Sequence, residues 1–335
     1  MSHTPALPDL DAATSAGGTG RGGSSPVAAG APRATGPGGG RQGGQGSRGT
    51  RAGRRRAALS PSRAKDFMQC PLLFRLRAVD ALPEPGSLAT HKGTVVHGVL
   101  ERLYDLPAAQ RTCEAALSML PDQWQAHQEK NPQVMDLFTD ADQERTWLAE
   151  ARDLVTTYFR MENPTRLEPA ERELFVQVET ADGLLLRGFV DRLDVAPDGA
   201  MRVVDYKTGR SPSPRFMEEA LFQMRFYGLV LWRLRGRAPA RLQLVYLKDG
   251  RILTHDPCLG ELQSTEAKVT RIWEEIEECA TSGTFRPRRS RLCDWCSFQA
   301  YCPLFGGNTP PLPADGVAHL MTVRNTPVPA AVARA

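Results

Sequence analysis

The chain has 335 residues, 41% of them apolar, and a formal net charge of +4. That length suits one large or two ordinary domains with a substantial core, and no apolar run approaches the roughly eighteen residues that a membrane-spanning helix needs. Charge is uneven: eight arginines and two aspartates fall within the first 58 residues, a balance of +6, which leaves −2 for the rest and excludes a body that grips polyanions by overall charge.

Residues 1–58 are mostly Gly, Ala, Ser, Pro, Thr and Arg without apolar periodicity, too little apolar surface to offset the entropy of ordering them. A disordered basic arm is expected. Its RAGRRR at 51–56 suits either a salt-sensitive contact with nucleic acid or a solubilising tail. The arm has no apolar middle of the secretory type, and its glycines with Asp9 and Asp11 fit a transit peptide poorly, so a cytoplasmic location is expected.

At residue 60 the texture changes. Ser60 as N-cap and Pro61 at the first helical position predict a helix ending near Cys70-Pro71. After the turn cluster PEPGS at 83–87, Val95, Val96, Val99, Leu100 and Leu103 recur at helical spacing within 92–106. Trp147, Leu148, Ala151, Leu154, Val155, Tyr158 and Phe159 make one face of a helix over about 141–161, and the whole stretch 92–165 is expected to be helical. From about 171 the pattern becomes extended. ELFVQVE, LLLRGFVDRLDVA and MRVVDYK, separated by ADG and APDG turns, predict a three-stranded antiparallel meander. A helix at 217–234, one or two strands within RLQLVYLK and GRILTHD, and an amphipathic helix at about 262–280 complete the order. Helices, strands, helix, strand imply an α/β or α+β layered architecture.

Chemistry concentrates at the strand ends. In VVDYK, Asp205 and Lys207 project to one side while Val204 and Tyr206 project to the other, and Asp191 of the preceding strand can lie beside them. Two carboxylates in a half-buried site repel unless a cation holds them. Oxygen ligands suit Mg2+ or Mn2+, and an adjacent ammonium would serve phosphodiester hydrolysis. Taken alone, Asp-x-Lys is common at strand ends and Asp191 has Arg187 and Arg192 as ordinary partners. The weight comes from its company.

GTVVHGVLE (93–101), ERELFVQVE (171–179), GFVDRLD (188–194), VVDYKTG (203–209) and QMRFYG (223–228), in that order, resemble the RecB-type nuclease domain of the PD-(D/E)XK superfamily over about residues 59–305. The resemblance implies a restriction-endonuclease-like mixed central sheet flanked by helices, with a helical part at 59–165, a sheet core at 166–260 and a C-terminal helix and cysteine cluster at 261–305. Residues 306–335 are left as a flexible tail. It also implies His97, Asp191 and Asp205 as metal ligands, Lys207 as the group that positions the attacking water, Gln223 and Tyr227 as the Q-x-x-x-Y pair, and Glu173 as an upstream acid. Val190 stands where the superfamily's naming proline would be, and Asp205 where many relatives have glutamate.

Seven cysteines are present, and Cys293, Cys296 and Cys302 spell C-x2-C-x5-C. Three thiolates need a fourth to close a metal site, and Cys70, in QCP after the first helix, falls where relatives of the AddB and CRISPR-associated kinds place their first cluster ligand. The resemblance therefore implies a [4Fe-4S] cluster, with zinc as the alternative; Cys113, Cys258 and Cys279 read as ordinary thiols. The expected activity is a Mg2+- or Mn2+-dependent deoxyribonuclease acting on single-stranded DNA or free ends, an exonuclease of repair or recombination. No G-x-x-x-x-G-K-[ST] occurs, so any helicase would be a separate partner. The rivals are a catalytically idle DNA-binding scaffold of a repair or CRISPR complex and a zinc-stabilised regulator.

Overall fold

Ser60 caps the first helix as its type and position dictate. In the computed structural model, which describes residues 56–324, its side chain accepts from Arg63 N at 3.3 Å and α1 runs Pro61–Gln69. The expected arm lies outside the described residues except for its last three. These are built into the domain: Arg56 donates to Thr322 O at 2.7 Å and to Glu179 at 2.8 Å, and Ala57 and Ala58 are buried.

After the short α2 (Pro71–Phe74), three longer helices follow: α3 (Leu88–Leu103), α4 (Cys113–Lys130) and α5 (Ala141–Met161). They bury Val96, Val99, Leu103, Trp147, Leu154 and Tyr158 in one core. The meander forms as β1 (Glu171–Glu179), β2 (Leu185–Val195) and β3 (Met201–Lys207), joined antiparallel. Next, α6 (Met217–Arg235) crosses over to β4 (Arg241–Tyr246), which pairs parallel with β3, and β5 (Arg251–His255) closes the far edge. The sheet order is β1-β2-β3-β4-β5.

Helices cover both faces, which is why β3 and β4 read as near-continuous apolar runs. Val204, Tyr206 and Val245 enter the core under α3, α4 and α5. Val203, Leu242 and Leu244 enter the other, with Met224 and Leu229 of α6 and with Val269 and Trp273 of α7 (Leu259–Ser282). This is a restriction-endonuclease-like α/β fold. No helix among the described residues is long and apolar enough to cross a membrane.

The domain does not stop at 305. Where the sequence suggested a flexible tail, α8 (Ala314–Met321) inserts Val317, Leu320 and Met321, followed by Val323, into the core and packs against the segment 75–79 that follows α2. Its eight residues lie among prolines and glycines and have their apolar partners far away in sequence, so no local pattern announces them.

Candidate active site

The ladder between β1 and β2 is regular on both sides of one point. Arg172 pairs with Arg192 and Leu174 with Val190, but Glu173 and Asp191 between them leave the ladder, and Glu173 takes φ +44°, a conformation that non-glycine residues rarely adopt outside functional sites. The alternation of β2 slips here. Leu186, Val190 and Leu193 all enter the same core, an odd spacing that turns Asp191 out of the regular pleat.

Asp191 is met by two other elements. Its Oδ2 accepts from Tyr206 N at 2.7 Å and lies 3.6 Å from His97 Nδ1 on α3. His97 Nε2 sits 3.0 Å from Tyr206 O; a carbonyl can only accept, so Nε2 carries the proton and the Nδ1 lone pair faces the carboxylates. Ligand atoms of His97, Glu173 and Asp191 lie within 4.8 Å of one another. Beside them, Asp205 Oδ2 is 2.6 Å from Lys207 Nζ, and Asp205 Oδ1 accepts from Gln223 Nε2 at 3.1 Å. Gln223 and Tyr227 share a face of α6, 3.4 Å apart at their polar ends.

The electrostatics suit a divalent cation. Burial first, then Asp205, raises the Asp191 carboxyl to about 8, and burial with Asp191 raises Glu173 to about 7. Burial lowers His97, keeping its imidazole neutral. Asp205 is only 3% exposed, and its buried carboxylate has the Lys207 ammonium as its charge partner. Crowded carboxylates beside a neutral histidine with its lone pair aimed at them are what a divalent cation would complete.

The sequence expectation grouped His97 and Asp191 with Asp205. The structure brings His97, Glu173, Asp191, Asp205, Lys207, Gln223 and Tyr227 to one region, but the tightest trio has Glu173 in place of Asp205, whose oxygens face Lys207 and Gln223. The order of these residues along the chain decides the family: residues 58–303 match the PD-(D/E)XK nuclease superfamily. The chain belongs to that superfamily.

Among relatives of this superfamily member, the Gene 69 protein of Mycobacterium phage D29 is 23% identical over 279 residues, covering 73% of this chain and 96% of that protein. The Gene 69 protein of Mycobacterium phage L5 is 30% identical over 127 residues, 37% of this chain and 41% of that one. A crystal structure of a candidate exonuclease from Eubacterium rectale has a TM-score of 0.47 at 15% identity, covering 71% of this chain and 86% of the other.

Sequence reasoning missed what stands behind the site. Arg192, read as a partner for Asp191, turns to the opposite face, where it is 1% exposed and donates to Glu162 at 2.8 Å through two nitrogens and to Tyr206 Oη at 2.5 Å. Tyr206, whose backbone grips both Asp191 and His97, is thus anchored from behind. The only local signal was an arginine at an inward position of a strand.

Cys70, Cys293, Cys296 and Cys302 line one cavity with Leu72, Leu76 and Phe298. Backbone N–H groups of Arg288 and Ser290 donate to the sulfurs of Cys70 and Cys293, each at 3.3 Å. Burial raises the Cys296 thiol, and the other three cysteines add to the rise.

Proposed function

We propose that the protein is a Mg2+- or Mn2+-dependent deoxyribonuclease of the RecB type, an exonuclease of repair or recombination. The observation that carries this reading is the convergence of His97, Glu173 and Asp191 beside the Asp205–Lys207 pair. His97, Glu173, Asp191 and Asp205 would hold the cation, which when bound supplies an acidified water and charge to offset the phosphate oxyanions. Lys207, held by Asp205, orients that water and places a positive charge beside the reacting phosphorus. Gln223 fixes the Asp205 carboxylate, and Tyr227, kept protonated by burial, offers a phenol O–H to a phosphate. His97, with Nε2 bound to a backbone carbonyl, needs no reorientation to act as a ligand.

We also infer that Cys70, Cys293, Cys296 and Cys302 hold a [4Fe-4S] cluster as a structural staple. Support comes from their common apolar cavity and from the N–H donors on two sulfurs, the usual environment of cluster thiolates. Zinc is the competing occupant. Iron and sulfide analysis of anaerobically purified protein, with its visible absorption, separates them; colourless protein with one zinc per chain would overturn the cluster.

The activity is tested by incubating end-labelled single- and double-stranded DNA with Mg2+ or Mn2+. Wild type is expected to cut, with Asp205→Ala and Lys207→Ala slower by at least about 100-fold. An inert wild type would favour the scaffold reading, and variants that cut as fast as wild type would overturn the assignment of these residues.

A further inference from the structure

Midway along the β1–β2 ladder, Phe175 and Phe189 stand opposite each other. Their ring centroids are 5.2 Å apart, and they are 50% and 55% exposed. The core does not use them: the alternate residues Leu174, Val176 and Val190 face inward. Each ring is two residues from a carboxylate of the site, Glu173 or Asp191.

Phe189 also walls a groove of about 470 Å³ that ends at Gln223 and Tyr227. The groove exists because Leu59 bonds along β2 beyond the reach of β3, with Leu59 N to Leu185 O at 2.8 Å and Arg187 N to Leu59 O at 3.0 Å. This sets the start of α1 beside β2. Arg63 and Arg187 line the same groove. They are near enough that Arg187 adds to burial in lowering the Arg63 guanidinium, and Arg187 has no ion pair among the described residues. Glu219, the carboxylate on this groove, faces Lys65 at 3.8 Å. Two adjacent guanidiniums beside bare aromatic faces complement an anionic chain that carries flat apolar rings.

Resting on the nuclease reading above, we propose that Phe175 and Phe189 form a base-stacking platform for unpaired DNA. Arg63 and Arg187 receive the phosphates, and the strand is led along the groove to Gln223 and the Asp205–Lys207 pair. Stacking requires exposed base faces, which a duplex hides, so the platform selects single strands, and it does so with little regard to sequence because every base has such a face.

The test uses full-length protein and a fluorescent thymidine 20-mer in EDTA, so that binding is read without cleavage. The double variant Phe175→Ala/Phe189→Ala is expected to bind at least about tenfold more weakly, and Phe175→Trp/Phe189→Trp to retain affinity. Duplex affinity and metal-dependent hydrolysis of bis(p-nitrophenyl) phosphate, too small to reach the platform, stay unchanged. Light-induced crosslinking of an iodouracil-substituted strand is expected to map to residue 175 or 189. Unchanged single-strand affinity in the alanine variant, equal loss for duplex, or a shift in self-association without a shift in DNA binding would overturn the platform. If the platform behaves as expected but wild type cuts neither DNA nor the small ester, the nuclease reading fails and the binding site stands.

Discussion

Asp191 and Glu173 titrate far above free carboxyls, at about 8 and about 7, against about 4 in an unfolded chain. Without metal, the folded state therefore binds more protons than the unfolded state between those limits, so stability is greatest below about pH 4 as far as these groups are concerned and falls as pH rises toward 8. In EDTA, Tm is expected to decline across that window, and Asp191→Asn to flatten the decline; a variant with an unaltered pH profile would contradict the assignment. Aspartate 191 and lysine 207 could be read from sequence because strand alternation and the ordered motifs locate them. Glutamate 173's place in the closest trio could not, since it depends on a left-handed backbone residue that no pattern of side chains announces.

At the scale of elements, β3 is held from behind by a buried ion network. Arg192 joins Glu162 of the segment after α5 to Asp194 of β2 and to the Tyr206 hydroxyl. Arg192→Ala strips the nearly buried Glu162 carboxylate of its ion-pair partner, while Asp194 keeps Arg202 at 2.9 Å, and urea unfolding is expected to show a loss of about 3–5 kcal/mol. A loss below 1 kcal/mol would mean water or another base already serves that acid. Helices α3 and α5, with their marked apolar spacing, and α6, apolar without a break from Phe226 to Leu231, appear where the sequence puts them. Helix α4 has no boundary of its own in the sequence reading, which left it within one helical stretch over 92–165, and Pro121 stands inside it. Helix α8 depends wholly on distant partners: it packs against residues 75–79, and its Leu320, 3% exposed, belongs to the core. Leu320→Ala is expected to cost about 2–5 kcal/mol by the same assay, whereas an unfolded tail would lose nothing.

For the whole molecule, the two ends of the described region meet on the same core. Arg56 bonds Thr322 and Val323, and Cys70 shares a cavity with Cys293, Cys296 and Cys302 across more than two hundred intervening residues. Closing so long a loop costs roughly 4–5 kcal/mol of chain entropy, which bonding at the cysteines would offset. Cys296→Ser is therefore expected to lower Tm and to raise the rate of proteolysis near the C-terminal cysteines, while a variant as stable as wild type would show that packing alone joins the ends. The central claim concerns the site, and its most direct test is anomalous scattering from crystals grown with Mn2+ at neutral pH. A manganese peak between His97 Nδ1, Glu173 and Asp191, adjacent to Asp205, is predicted. No peak there, or one that leaves these side chains uncoordinated, would contradict it.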